Sequence, residues 1–327
     1  MKPTQPCIAR RRLVAGLAAM SALPAVSFAQ DAWPARPIKI IVPLPPGGGV
    51  DVLARVMAEE LHAQLKADVV IDNKPGGAGV LGVRQVAAAP ADGYTLGYGH
   101  SGLLTVQAMG AKIDVFQLAW IGRMSTSPFV LAVRADSPYR TPADLVAAMR
   151  AQPGTITYGS GGAGTPGHIA TAILEDRMGV QGLHIPYKGA IEVATAMAGG
   201  QVEFGIGLLS GMAPLAQGGR LRLLAVTSAT RVPGFPDLPT LAVAGVPGYA
   251  FDAWGGLFAP PGTPEAIVGR LGRLMPTLLA TERMKQAAKL QGLLLDYADA
   301  KTLGAQLRKD YETEQRLVGK LGLTLNS

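Results

Sequence analysis

Cysteine is almost missing from this chain: Cys7 is the only one in 327 residues. No internal disulfide can form, so a large buried core has to stabilise the fold instead. After the first thirty residues no stretch of eighteen uninterrupted apolar residues occurs, which excludes a helical membrane anchor in the body of the chain. No block of lysine and arginine is present there either, so nucleic acid is not an expected partner. His62, His100, His168 and His184 lack metal-ligand spacing, and there is no H-E-x-x-H. Ser101, in Gly99-His100-Ser101-Gly102-Leu103, misses the last glycine of a nucleophile elbow. No glycine-lysine-serine/threonine loop is found for nucleotide phosphates. These gaps predict no metal, no cofactor and no enzyme activity.

The N-terminus, in contrast, is rich in signals. Arg10, Arg11 and Arg12 precede an apolar stretch from Leu13 to Val26, and Ser27-Phe28-Ala29 supplies small residues before a cut after Ala29. That layout predicts a secretory signal over residues 1–29 and a periplasmic protein starting at Gln30. The arginines suit either a twin-arginine or a general secretory signal. Cleavage removes four of the 30 basic residues and none of the 23 acidic ones, lowering the formal charge from +7 to +3. The remaining mild positive charge modestly favours anionic ligands.

Beyond the signal, short apolar runs alternate with amphipathic stretches. Strands are expected at Ile38–Val42, Val69–Ile71 and Thr95–Tyr98, separated by helices at Val50–Leu65 and Val80–Ala88. The alternation resumes from Phe129 to Val226, with helices at Pro142–Arg150, Pro166–Met178 and Ala190–Ala198. A proline- and glycine-rich connection follows at Arg231–Gly248, and then helices at Ile267–Leu279, Glu282–Leu290 and Lys301–Val318. Two such series with a returning C-terminus predict two lobes. One comprises residues 30–128 plus 249–327, and the other residues 129–248.

Two glycine-rich loops follow strands and enter helices, which is where ligands of such sheets bind. The first contains Gly47, Gly48 and Gly49, with Asp51 expected to cap the helix. The second runs from Tyr158 through Ser160, Gly164 and Thr165 to His168, adding hydroxyl donors and a ring N–H. Gly159, Gly161 and Gly164 also spell G-x-G-x-x-G. No acid ends the next strand, where His184-Ile185-Pro186-Tyr187-Lys188 stands, so a dinucleotide site is not supported.

From about Trp33 onward the chain resembles the Bug (TctC-like) family of periplasmic solute-binding proteins of tripartite tricarboxylate transporters. The resemblance rests on Pro37-Ile38-Lys39-Ile40-Ile41-Val42-Pro43, the triple glycine with Asp51 and Arg55, and Asn73-Lys74-Pro75-Gly76. Pro90-Ala91-Asp92-Gly93-Tyr94, the Ser160–His168 loop and His184-Ile185-Pro186-Tyr187-Lys188-Gly189 continue it. Gly199-Gly200-Gln201-Val202, Leu224-Ala225-Val226-Thr227-Ser228 and Trp254–Pro264 complete it. The resemblance implies a two-lobe, type II-like periplasmic binding protein of α/β class, each lobe a mixed, mainly parallel sheet flanked by helices. It implies a monomer that hands a small carboxylate to membrane transporter subunits. A sensor subunit for a membrane histidine kinase would use the same cleft.

By the same resemblance, Gly47, Gly48 and neighbouring amides hold one end of the ligand, and Ser160, Gly164, Thr165 and His168 hold a carboxylate. The chain departs from many relatives in carrying Val50, Val80 and Gly207 where polar residues are usual. Gly207 removes the expected partner of an amino group. The expected ligand is therefore a more apolar carboxylate, aromatic or otherwise, with Tyr98 and Trp254 as walls.

Overall fold

The computed structural model describes residues 33–325; the expected signal segment and its cut after Ala29 lie outside the described residues. The chain runs β1 (Ile38–Val42), α1 (Gly49–Leu65), β2 (Val69–Asn73), α2 (Val80–Ala87), β3 (Thr95–His100) and α3 (Gly102–Ala108). Then come β4 (Ala119–Arg134), α4 (Pro142–Ala151), β5 (Thr157–Ser160), α5 (Pro166–Met178), β6 (Leu183–Pro186) and α6 (Ala190–Ala198). β7 (Phe204–Leu208), α7 (Leu209–Gln217), β8 (Leu221–Val226) and β9 (Asp252–Ala259) follow. α8 (Glu265–Leu279), α9 (Glu282–Leu290), β10 (Leu294–Asp299) and α10 (Ala300–Leu321) end the described fold. All of them fall within one unit, Arg36–Ser327.

Local chemistry explains these boundaries. In β1 only Lys39 is exposed, as suits a strand covered on both faces. Thr141 caps α4 by accepting the Asp144 N–H at 3.2 Å, while the Asp144 carboxylate accepts the Thr141 N–H at 2.8 Å. Two otherwise orphaned donors are satisfied at once. Pro166 occupies the first turn of α5, and Gly179 ends that helix at φ 61°.

The strand order is β2-β1-β3-β9-β4-β7-β5-β6, with β8 and β10 also pairing with β4. Parallel ladders join β1 to β2 and β3, and β5 to β6 and β7. The returning strand β9 runs antiparallel between β3 and β4. β4 is the common element. Its residues up to Pro128 pair with β9, and those from Phe129 onward pair with β7 and β8. Thr227 stitches this handover: its hydroxyl accepts the Phe129 N–H at 3.1 Å and donates to the Phe129 carbonyl at 3.0 Å.

Burial follows the same division. Ile41, Leu103, Trp120 and Phe258 share one cluster, whereas Leu131, Tyr158, Phe204 and Tyr249 share another. α10 belongs to both, because Leu303 and Leu307 enter the first cluster and Leu317 the second.

Candidate functional site

A cavity of about 950 Å³ opens where several strands end and helices begin. Its wall includes Val80 at the start of α2, Gly102 at the start of α3 and Pro166 at the start of α5. Helix N-termini present unpaired N–H groups and the positive end of the peptide dipoles, so the wall is biased toward anions. Arg84 and Lys112 add two full positive charges, and no Asp or Glu among the described residues lines the cavity. Leu44, Val50, Val106, Met109 and Leu293 supply apolar surface.

β3 and β9 bring Tyr98 and Trp254 to this wall. Burial pushes the Tyr98 phenol up to about 12, against the opposing effect of the Ser125 hydrogen bond, so it remains a neutral group. Its ring fits because residue 255 is glycine; a Cβ there would overlap the phenol oxygen. Trp254 packs edge-on against Trp120, with ring centroids 5.6 Å apart. Burial also pushes His100, another wall residue, down to about 4, which keeps its ring neutral. The Nε2 of His100 and the Nε1 of Trp254 are buried with no hydrogen-bond partner among the described residues.

The first glycine loop contributes through its flanks. Leu44 and Val50 line the cavity, whereas Gly47, Gly48 and Gly49 do not. The reason is Asp51. It stands inside the first turn of α1 rather than at the cap, which is Gly48. Its carboxylate reaches back to accept the Gly47 N–H at 2.9 Å, and it also accepts from Arg55 and Asn73 at 2.9 Å each. The Gly47 amide is thereby engaged within the protein. Burial opposes ionisation of Asp51, but the hydrogen bonds from Arg55, Gly47 and Asn73 prevail and hold its carboxyl below the usual value.

The second loop divides in the same way. Ala163, Gly164, Thr165 and Pro166 line the cavity; Ser160 and His168 lie beneath it, buried. Ser160 Oγ lies 2.7 Å from His184 Nε2, accepts the Gly162 N–H at 3.2 Å and donates to the Gly162 carbonyl at 3.0 Å. With the His184 proton on Nε2, that hydroxyl is fully used. His168 Nδ1 accepts the Gly164 N–H at 3.0 Å, and the two imidazoles stack 4.2 Å apart. Burial, and then the neighbouring His184, push His168 down to about 4, so the ring is a neutral acceptor for the loop. Thr165 Oγ1 donates to Gly162 O at 2.7 Å. The buried pair of histidines therefore shapes the loop that Gly164 and Thr165 present to the cavity.

Arg84, Lys112 and Ser125 were not singled out from the sequence, and His100 was considered there only as a metal ligand and beside Ser101. Their signal was weak, since each comes from a different segment and only the sheet topology assembles them. Val50 and Val80, noted as apolar departures, both line the cavity, and Gly207 does not. Gly207 stands on β7 facing Val130, where an added Cβ would overlap the Met212 side chain.

A mixed α/β sheet with helix starts gathered on an anion-favouring cavity is the architecture of a solute-binding protein of the periplasmic type. The family comparison is specific. Residues 53–323 match the model of the tripartite tricarboxylate transporter family receptor, TctC, and the chain belongs to that family. BugT of Bordetella pertussis is 33% identical over 276 residues, covering 82% of this chain and 84% of BugT. A protein encoded in the gbd 5' region of Cupriavidus necator is 32% identical over 321 residues, 97% of each chain. Among solved structures, a TctC solute-binding protein from Polaromonas without ligand superposes with a TM-score of 0.83 at 32% identity, covering 88% of this chain and 99% of that one. Rpa4515 of R. palustris with adipate gives 0.70 at 30% identity, covering 89% and 99%.

Proposed function

We propose that this receptor captures a small carboxylate with an apolar body in the cavity and delivers it to the membrane subunits of a tripartite tricarboxylate-type transporter. The observation that carries the reading is the wall itself: helix starts, two cations, no acid and a largely hydrocarbon lining. A carboxylate is stabilised by the first two features, and its body is desolvated by the last. The adipate bound by the related Rpa4515 supports the same ligand class. An amino-acid ligand is disfavoured, because its ammonium would meet no carboxylate on this wall and a buried unpaired charge is strongly penalised.

Gly164 and Thr165, with the start of α5, form the anion grip; Tyr98 and Trp254 flank the ligand body. Ser160 and His168 act behind the grip, and Gly47 to Gly49 hold the conformation of the opposing loop. The lobes comprise residues 30–128 plus 249–327 and residues 129–248, which agrees with the change of pairing partner at Pro128/Phe129. The chain works as an exported monomer that begins at Gln30, which mass spectrometry of periplasmic material tests.

A thermal-shift screen of aliphatic and aromatic carboxylates, followed by calorimetry, tests the ligand class. A true ligand at about 100 times its dissociation constant stabilises by ~2.7 kcal/mol. Micromolar binding of aspartate or glutamate, with no response to simple carboxylates, would overturn the reading.

A further inference from the structure

We propose that the cavity takes up a proton together with its anion, and that Glu314, the buried acid behind the wall residue Thr105, is the group that holds it. The proposal rests on the carboxylate-receptor reading above and adds a pH control of that same site.

Thr105 lines the cavity from α3, and its hydroxyl donates to the Glu314 carboxylate of α10 at 2.5 Å. Both side chains are buried, so the acid lies directly behind the wall. Glu314 takes part in none of the salt bridges among the described residues. The elements packed on α10 offer it little compensation. α3 carries no titratable residue, and β4 brings Arg123, which is held by Asp296 of β10 and by Gln306. β10 adds only Tyr297 and Asp299. α5 brings the neutral His168, Glu175, Asp176 and Arg177, with Asp176 paired to Arg316 and Lys320. Asp310 stands one turn earlier on α10 itself, and Arg84, Lys112 and the neutral His100 stand on the cavity wall. Burial therefore favours the protonated carboxyl of Glu314, raising it to about 8; Asp310 adds to this and the Thr105 bond opposes it.

A proton on Glu314 helps an anion in two ways. It removes a negative charge behind the wall, where burial weakens screening. It also lets the acid donate to Thr105, which frees the Thr105 hydroxyl proton for the cavity. With Glu314 ionised, that proton is committed to the carboxylate, and only the hydroxyl lone pairs are left for the ligand. An anion thus prefers the protonated form, and by linkage its arrival draws a proton in.

Calorimetry with adipate, hexanoate and benzoate, each in two buffers of unlike ionisation heat, counts the protons exchanged on binding. Near pH 8 these probes are ionised and His100 and His168 are neutral, so neither supplies the signal. For a tenfold preference of the anion for the protonated form, the wild type takes up roughly 0.4 proton per ligand at about pH 8. It then binds about threefold more weakly at about pH 8.5 than at about pH 6.5. Glu314→Gln keeps an acceptor for Thr105, and should lose most of that uptake and bind alike at both pH values. Asp310→Asn removes the neighbouring negative charge, and should move the pH of greatest uptake downward. Binding to the wild type without proton uptake would overturn the proposal and leave the carboxylate reading intact. Undiminished uptake in Glu314→Gln would overturn it too and assign the proton elsewhere, Asp252 being another buried acid lifted to about 8. Should Glu314→Gln not fold, an unmoved uptake maximum in Asp310→Asn has the same force. Failure of every probe to bind the folded wild type would overturn both readings.

Discussion

Glu314 shows how a single buried acid sets a pH dependence. It lies on α10, 95% shielded from solvent, and accepts a hydrogen bond from the cavity-wall residue Thr105 at 2.5 Å. Burial raises its carboxyl from 4.5 to about 8; the Thr105 bond opposes this and nearby Asp310 adds to it. Between those two values the folded protein binds more protons than the unfolded chain, so this residue's contribution to stability falls as pH rises from about 4.5 to about 8. Glu314→Gln keeps an acceptor for Thr105 and removes the proton demand. Urea denaturation at pH 5 and pH 8 should show the wild type losing more stability across that interval than the variant, by ~1 kcal/mol or more. Asp252, which burial first of all lifts to about 8, leaves a residual slope in both proteins. Identical pH profiles would show that Glu314 titrates normally.

At the scale of elements, what the sequence made legible depended on periodicity and punctuation. Thr141-Pro142 and Pro166 announced two helix starts, and the apolar runs of β1 and β8 announced strands. The reading missed β9, because Gly255 and Gly256 weaken its strand pattern. These glycines are needed for close approach: Cβ atoms there would overlap the Tyr98 hydroxyl and crowd the Gly122 carbonyl, respectively. It also missed α3, which is only seven residues long, and α7, whose pattern Pro214 interrupts. The glycine loops were legible as loops, but not the internal use of the Gly47 amide and the Ser160 hydroxyl, because those depend on partners that folding brings into place.

The same scale explains α10, expected simply as a closing helix. Leu317 is 1% exposed in the cluster built around Tyr158 and Phe204, and Arg316 pairs with Asp176 of α5 at 2.6 Å. Leu303 and Leu307 belong to the other cluster, so the helix braces both parts of the sheet. Leu317→Ala removes three heavy atoms from a packed site and should destabilise by ~2–5 kcal/mol in denaturant titrations. Asp176→Asn, at a partly exposed carboxylate shared by the solvent-facing Arg316 and Lys320, should cost about 1 kcal/mol or less. Equal, small effects of the two changes would mean that the end of α10 is not anchored by packing.

For the whole molecule the proposed two-lobe binding predicts closure. The proposed grip at Gly164 and Thr165 belongs to the segment after Phe129, whereas the other cavity residues Tyr98, Arg84 and Lys112 belong to the segment before it. A ligand that touches both sets gains all its contacts only when those sets approach, so it binds the closed arrangement better and shifts the population toward it. Moving that balance from 1:99 to 99:1 requires a preference of ~5.5 kcal/mol, within reach of a few charge-assisted hydrogen bonds plus buried hydrocarbon. Small-angle scattering on the mature protein should therefore give a smaller radius of gyration with a calorimetrically verified ligand than without it. Thr165→Ala should reduce the contraction at a fixed subsaturating ligand concentration by weakening the grip, and restore it when ligand is raised to saturation. A radius that stays constant at saturation would show a preformed pocket, and the transporter would then have to recognise something other than closure.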